Sequence, residues 1–155
     1  YDARKFKRKE QDIETTLKRL LQDDIRLVRL MSVPGIGIMS ATAILACVDD
    51  FNRFKNAKMF ASYLGLVPRE NSSGGVKKMG SITKAGPDMV RRYLIHGARS
   101  VLIYSNERSK EPIRKWAYQL KNKKGMNKAT VGLAHHLARI CFNVVVEQRE
   151  YKKVV

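Results

Sequence analysis

Glycine and proline are concentrated in a few short segments, which limit how long any regular element of this chain can be. The densest segment, PRENSSGGVKKMGSITKAG at residues 68–86, contains four glycines and lies between two stretches rich in helix-forming residues. Because glycine destabilises a helix interior, a long helix cannot cross this segment. Elsewhere, apolar residues recur at three- and four-residue intervals, which predicts helices. We therefore predict a mainly α-helical fold, with a short loop or hairpin in the glycine-rich segment.

The N-terminal stretch is predicted to form one long helix. Over residues 3–31 an apolar stripe follows the three-and-four spacing, the opposite face is charged, and neither glycine nor proline occurs; only Asp24 interrupts the stripe. A long helix with a narrow stripe is typical of a coiled coil, so we predict a coiled-coil-like connector over residues 1–31. It would pair with a helix of this chain or of a second subunit, and packing onto its own domain is an equal alternative. Residues 32–155 then form one helical domain.

Five further helices are predicted after this connector. They begin at Ile38, after the sequence SVPGIG; at Lys55; at Pro87, a residue suited to a first helical turn; within SKEPIRKW; and near Asn127, which is placed to cap the last helix. Gly125 is expected to end the fifth of the six helices.

The charge balance indicates a polyanionic partner. The chain has 31 Lys and Arg against 14 Asp and Glu, a formal net charge of +17. Between Phe51 and Asn106 the only acidic residues are Glu70 and Asp88. A field of this sign attracts nucleic acid and makes binding strongly dependent on salt. Six cations in or after the glycine-rich segment are predicted to bind nucleic acid: Lys77, Lys78, Lys84, Arg91, Arg92 and Arg99.

The sequence VPGIGIMSATAIL has the form of a helix-hairpin-helix motif. It places Pro34, Gly35, Ile36 and Gly37 between two helices, with small residues at the start of the second. Glycines let a backbone approach its partner closely, and the free N–H groups of a helix start suit a phosphate. We predict that these residues contact a nucleic-acid backbone without reading its bases. A plain turn between two helices is the alternative.

The helix after the glycine-rich segment carries a cationic face. Arg92, His96 and Arg99 are spaced by four and three residues and share one side of a helix, opposite an apolar side. Such a face could grip phosphates or stabilise charge in a phosphoryl-transfer transition state. An ordinary solvent-exposed face would also account for these residues.

The sequence contains no recognisable metal site. His135 and His136 are adjacent, which directs them about a hundred degrees apart on a helix, and no Cys-x-x-Cys spacing or magnesium-type cluster of carboxylates occurs. Cys47 and Cys141 lie in apolar helical patterns and are predicted to be small buried residues. Trp116 lies on an apolar stripe and is predicted to belong to the core rather than to a base-stacking surface.

Four segments in order give the chain a family resemblance: the P-G-I-G hairpin, ASYLGLVPRENSSGG, MGSITKAGPDMVRRYLIHGA and LAHHLARICFNVVV. In this arrangement the chain resembles the C-terminal domain of insertion-sequence transposases of the IS110 type, which are relatives of the Piv DNA invertases and include the bridge-RNA-guided recombinases. The likeness begins near Leu30, and the preceding helix matches the coiled-coil connector of the family.

The resemblance implies a serine nucleophile. In the family the serine lies in a Ser-Gly element after GLVPR, which falls on Ser73, with Ser72 as the alternative. The serine would attack a DNA phosphodiester and form a transient phosphoserine bond. Lys77, Lys78 and Lys84 would offset the phosphate charge.

The resemblance also implies a second, RuvC-like domain, whose acidic residues bind the magnesium that the reaction uses. That domain is absent from this sequence, whose first residue is not methionine. We therefore expect an excerpt of a longer transposase or site-specific recombinase that needs no cofactor of its own and binds DNA but is inactive alone.

The expected partners are DNA, a guide RNA in some members, and a second copy of the chain through the first helix, in the cytoplasm of a bacterium and associated with the nucleoid. A helix-hairpin-helix module that binds nucleic acid without chemistry is the alternative function. A basic helical scaffold for RNA is a third.

Overall fold

The computed structural model describes residues 2–73, 75–84 and 86–152, with the backbone alone at 70–73 and 76–79. The prediction of a mainly helical fold with a small hairpin is confirmed. The elements of the described residues are α1 (Ala3–Leu20), α2 (Ile25–Met31), α3 (Ile38–Cys47), a 3₁₀ turn (Phe51–Arg53), α4 (Ala57–Tyr63), β1 (Pro68–Ser73), β2 (Val76–Ile82), α5 (Asp88–Ile103), α6 (Pro112–Lys124) and α7 (Met126–Val146).

Helix α7 is the centre of the fold and packs against α2, α4, α5 and α6. Its apolar residues recur every four positions, so Leu133, Leu137 and Cys141 lie on one side and are fully buried. Burial raises the pKa of the Cys141 thiol to about 12, which makes it an unreactive core side chain. Within the described residues, α7 alone is long and apolar enough to cross a membrane, and its packing inside the domain accounts for that composition.

An aromatic cluster joins the 3₁₀ turn to α4 and α7. The ring of Phe60 lies 5.6 Å from that of Phe51, 5.4 Å from that of Phe54 and 5.7 Å from that of Phe142, measured between centroids. Tilted and edge-on pairs at these distances stabilise a core beyond the burial of their area. The cluster fixes α4, and with it the start of the β-hairpin, against the central helix.

The prediction of one helix over residues 3–31 is wrong. The helix ends at Leu20, and α2 begins at Ile25 after a short turn. The two helices also differ in their packing, since α1 has no buried residue whereas Leu27 and Leu30 of α2 are 5% and 0% exposed. Helix α2 is therefore part of the core of the domain, and α1 is the exposed part of the connector.

Asp24, which interrupts the apolar stripe in the sequence, is the N-cap of α2. Its carboxylate accepts a hydrogen bond from the backbone N–H of Arg26 at 3.0 Å and pairs with the Arg26 guanidinium at 3.0 Å. Chiefly because of the side-chain hydrogen bond from Arg26, the pKa of Asp24 lies below its usual value. An aspartate in this position ends one helix and starts the next, because it satisfies an N–H group that a new helix leaves unpaired.

Two further predictions are corrected. Asn127 does not cap α7, which begins at Met126 after Gly125; the Asn127 side chain instead accepts a hydrogen bond from Arg99 at 3.3 Å. Trp116 does not belong to the core, because it is 39% exposed and its ring lies 4.9 Å from that of His136. Helix α6 buries Ile113 and Ala117 instead.

Asp24→Ala should lower the free energy of unfolding by about 1 kcal/mol, since it removes both the cap and the ion pair. Asp24→Asn is the matched control, because asparagine keeps the capping oxygen and should lose less. The contribution of the carboxylate is present above its usual pKa and is lost as the pH falls through its lowered value in the fold. Urea denaturation at neutral and acidic pH measures both effects, and equal stability of the wild type and Asp24→Ala at neutral pH would contradict the assignment.

Candidate nucleic-acid interface

The P-G-I-G sequence forms a tight turn between α2 and α3. The backbone N–H of Ile36 donates to the carbonyl of Val33 at 3.1 Å, and Gly35 has a φ of +82°. Proline at the second position and a glycine with positive φ at the third are typical of a type II turn. Pro34 and Ile36 are buried in the domain, so the turn is fastened by its own apolar residues.

The backbone of this turn lies directly against α5. A Cβ atom on Gly35 would lie 2.8 Å from the carbonyl oxygen of Gly97, and a Cβ atom on Gly97 would overlap the carbonyl oxygen of Gly35. Neither position can therefore hold a side chain without moving the backbone of the other. The close approach that was predicted for Gly35 is made within the chain, to α5.

Gly37 is the residue of the turn that faces solvent. It is the N-cap of α3, and it provides no side-chain hydrogen bond to the helix start. A Cβ atom on Gly37 would meet no atom of the described residues within 4 Å, so the space beside it is open. The first N–H groups of α3 therefore lack the side-chain partner that most helix starts have. A phosphate oxygen is one group that can supply it.

A cleft of about 430 Å³ lies beside this helix start, between α1, α3 and α5. Ser40 of α3 and Tyr93 and His96 of α5 line one side, and Glu10 and Glu14 of α1 line the other. The two carboxylates lower the affinity of the cleft itself for an anion. Gly37 also lines this cleft, so the neighbouring cations of α5 must outweigh the two carboxylates for a phosphate to bind at the helix start.

The predicted cationic face of α5 is exposed. Arg92, His96 and Arg99 all reach solvent, whereas the opposite side of the helix is buried. Nε of Arg92 forms an ion pair with Asp88 at 2.7 Å, and the side chain remains 80% exposed. Because the Gly35–Gly97 contact lies one residue from His96, the cationic face of α5 and the start of α3 are held close together.

Arg91, the neighbour of Arg92, lies inside the domain. It is 6% exposed, and its guanidinium donates to the carbonyl of Leu64 at 3.3 Å and to Asp88 at 2.6 Å. Its charge is therefore used to hold the start of α5 against the end of α4. We do not include Arg91 in the surface available to nucleic acid.

The glycine-rich segment forms an antiparallel hairpin. The register pairs Ser73 with Val76 and Ser72 with Lys77, so Ser73 is the last residue of β1 before the turn. Gly75 in this turn is exposed and has a φ of +79°. The side chains of Ser72, Ser73, Lys77 and Lys78 lie outside the described residues.

The base of the hairpin is fastened to the domain. Backbone N–H groups of Thr83 and Lys84 donate to the carbonyls of Val67 and Gly65 at 3.0 and 3.1 Å, and Ile82 is 9% exposed. Gly86 follows with a φ of +76°, and its backbone lies so close to the carbonyl of Tyr63 that a Cβ atom would overlap it. Lys84 is exposed at this base and has a left-handed backbone with a φ of +54°.

Metal ligands do not come together in the described part of the chain, where no group of three His, Cys, Asp or Glu residues could hold an ion. His135 and His136 are half-buried, and desolvation followed by the charge of Arg139 lowers the pKa of both. They are therefore neutral at physiological pH.

Sequence reasoning missed the contact between Gly35 and Gly97 and the acidic side of the cleft. Gly97 carries a signal, because a glycine inside a helix is costly unless another backbone approaches it closely. Nothing in the sequence identifies Gly35 as the partner, since the two residues meet only in the folded chain.

Fold and surface together define a basic helical domain whose exposed helix start, cationic helix face and glycine-turn hairpin suit a phosphate-containing polymer. The model of the "Transposase IS116/IS110/IS902 family" matches residues 28–114, which include the Gly35 turn, both strands and α5. The chain belongs to this transposase family.

The relatives are bacterial. The chain is 35% identical over 90% of its length to the "Probable family 20 transposase" of Pseudomonas aeruginosa and 34% identical over 91% to the "Transposase for insertion sequence element IS1111A" of Coxiella burnetii. It is 28% identical over 80% of its length to the "Pilin gene-inverting protein" of Moraxella bovis. These matches cover 41%, 38% and 38% of the relatives, so the chain spans about two fifths of their length.

Gly97→Ala should lower the free energy of unfolding by about 1–3 kcal/mol, which is the usual cost of overpacking. The new methyl group would overlap the backbone of Gly35. Gly37→Ala is the matched control. Its Cβ would meet no described atom within 4 Å and its φ of −94° suits any residue, so it should cost less than about 1 kcal/mol. Chemical denaturation of both variants measures the difference, and equal losses would contradict the close contact.

Arg91→Met and Arg92→Met should separate stability from binding. Arg91→Met removes buried charged hydrogen bonds and should cost about 2 kcal/mol of unfolding free energy. Arg92→Met should change stability by less than about 0.5 kcal/mol, because its ion pair is exposed. If Arg92 contacts a phosphate, its loss should weaken duplex DNA binding and reduce the slope of log affinity against log salt by about one.

The salt titration is read only on protein that is folded at the assay temperature. A reduced slope in folded Arg91→Met, with an unchanged slope in Arg92→Met, would reverse the two assignments.

Proposed function

We propose that this chain is the serine-bearing domain of a DNA transposase or site-specific recombinase, with Ser73 as the nucleophile and Ser72 as the alternative. Family membership is the observation that carries the proposal, since the matched relatives are named transposases and a gene-inverting protein. The hairpin supports it, because it places these serines beside an exposed glycine turn on a fastened base.

The position of Ser73 suits attack on a polymer. The residue ends β1, and Gly75 in the adjoining turn is exposed, so a DNA backbone can approach this turn. The base is held by the Thr83 and Lys84 hydrogen bonds and by Arg91 acting on Leu64. A nucleophile on a fastened element loses little freedom in the transition state, which lowers the entropic part of the barrier.

The proposed chemistry conserves phosphodiester bonds. The serine hydroxyl loses its proton and its oxygen bonds to phosphorus, while one bond from phosphorus to a sugar oxygen breaks and that oxygen takes up a proton. A hydroxyl of the second DNA strand then attacks the phosphoserine, rejoins the DNA and restores the serine. Each step exchanges one P–O bond for another, so no energy source is needed.

The cations around the hairpin would stabilise the negative charge that develops on phosphorus oxygens. Lys84 is exposed at the base of the hairpin, and on β2 Lys77 is paired with Ser72 and Lys78 with Asn71. Among the described residues, no group of three His, Cys, Asp or Glu residues could hold a metal ion. We assign the expected magnesium to acidic residues of another part of the full-length protein.

DNA backbone binding is assigned to the exposed helix start at Gly37 and to the face of Arg92, His96 and Arg99 on α5. Backbone N–H groups and guanidinium groups contact phosphate oxygens irrespective of sequence, which positions the DNA for the serine. With a net charge of +17, the chain would bind DNA with a strong dependence on salt.

Helix α1 is assigned to assembly with a second copy of the chain. It buries no residue in its own domain, and Phe6, Ile13 and Leu20 are 58%, 51% and 68% exposed at seven-residue intervals. An apolar stripe with this repeat is typical of a coiled-coil contact. We place the full-length protein in the bacterial cytoplasm, at the nucleoid. The proposal includes a guide RNA as a partner where the mobile element encodes one.

The proposal is tested with the full-length protein, its guide RNA where one exists, magnesium and a labelled donor DNA. The reaction is denatured and the protein is examined for attached label. We expect label on the wild type and none on Ser73→Ala, with Ser72→Ala as the matched control that keeps the adduct.

Loss of label only in Ser72→Ala would preserve the mechanism and move the nucleophile by one residue. Recombination by the wild type with label still trapped in both variants would contradict the serine mechanism. Salt-dependent DNA binding with neither adduct nor recombination would favour a non-catalytic helix-hairpin-helix module.

A further inference from the structure

The contact between α6 and α7 exposes an aromatic pair that the proposed chemistry does not use. Trp116 is 39% exposed, and its ring lies 4.9 Å from the ring of His136 with an angle of 48° between the planes. One helical turn away, Leu120 packs on Gly132, where a Cβ atom would lie 3.4 Å from the leucine side chain. This close approach of the helices supports the indole from one side and leaves part of it open to solvent.

The charged residues within α6 and α7 are all cationic. No Asp or Glu occurs between Pro112 and Val146. Two of the cations in this range act inside the fold, since Arg114 pairs with Glu111 at 3.1 Å and Lys121 donates to the carbonyl of Leu102 at 3.2 Å. The others are exposed: Lys115, Lys123, Lys124, Lys128 and Arg139.

An exposed aromatic ring among exposed cations has the two properties that bind unpaired nucleic acid. The cations attract the phosphates, and the ring offers a flat apolar surface to a base. In a duplex both faces of each base are covered by neighbouring base pairs, so a duplex cannot place a base on Trp116. His136 is neutral, because desolvation followed by the charge of Arg139 lowers its pKa, and it adds a second uncharged ring.

A second copy of the chain is a poor occupant for this surface. If it docked through the same two helices, it would bring only cations against this surface. A polyanion has the opposite charge and releases counterions when it binds. Charge complementarity therefore selects nucleic acid, and the open ring selects an unpaired strand.

We propose that the Trp116–His136 surface of α6 and α7 binds single-stranded DNA by stacking an unpaired base on Trp116. The inference rests on the proposed recombinase function, because strand cleavage and exchange unpair bases next to the reacting phosphate. It adds a binding site on a different pair of helices from the Gly37 and Arg92 surface. Its role is to hold a strand that has left its duplex.

The binding test uses the single tryptophan of the chain, which is Trp116 itself. The 155-residue chain is titrated with oligothymidylate of about 12 nucleotides and with an abasic oligonucleotide of equal length and charge. We expect saturable quenching of Trp116 fluorescence by the thymidylate and little by the abasic strand, although both bind through their phosphates. Equal quenching by the two strands would overturn the proposal.

Variants measured with labelled oligonucleotides extend the test. Trp116→Leu should weaken thymidylate binding about tenfold, as expected for one lost stacking contact, and leave abasic binding unchanged. Trp116→Phe keeps an aromatic ring at the helix contact and should bind between the two. Tyr104→Leu, which changes a 73% exposed aromatic residue outside this surface, is the matched control and should have no effect.

Unchanged thymidylate binding in folded Trp116→Leu would overturn the proposal. Tighter binding of RNA than of DNA of matching sequence, with the same dependence on Trp116, would assign the surface to RNA and overturn the choice of DNA. Because these are binding measurements, a failed stacking test alongside a serine-dependent adduct would reject this inference alone. Intact stacking without an adduct would reject only the serine chemistry.

Discussion

The turn after α2 and the middle of α5 meet through two glycines, Gly35 and Gly97, and most of the candidate interface depends on this contact. Each carbonyl oxygen occupies the space that a side chain on the other residue would need. The contact brings the start of α3, which has no side-chain cap, next to the helix that carries Arg92, His96 and Arg99. In the proposed DNA complex, the dipole of α3 and the cationic side chains of α5 would therefore act on the same stretch of phosphates.

Some cations of the chain form hydrogen bonds inside the fold, and others are exposed to solvent. Arg91 and Lys121 direct their charge to backbone carbonyls inside the domain, and Asp24 holds Arg26 at the start of α2. The exposed lysines and arginines are what a polyanion meets. The net charge of +17 already subtracts every acidic residue, so the fold changes the position of each cation and not the total charge.

Helix positions were predictable from the sequence because they depend on local periodicity, and the buried side of α7 followed from the same pattern. The break at Asp24 was not predictable, because an aspartate in an apolar stripe can be either a tolerated polar residue or the N-cap of a new helix. Arg91 and Arg92 are chemically identical neighbours, and only the rotation of α5 decides which one meets Leu64. Trp116 was misassigned because periodicity gives the side of a helix but not how far the neighbouring helix covers it. The catalytic assignment of Ser73 comes from the family resemblance and not from spacing.

The break between α1 and α2 separates an exposed helix from a helix that belongs to the core. Helix α2 is embedded in the core through Leu27 and Leu30, whereas α1 buries no residue and contacts the domain at α3. Under the proposed pairing through α1, the angle at this turn would contribute to the distance between the two proposed nucleophiles. A helix cap outside the proposed catalytic hairpin would then contribute to the geometry of the whole assembly.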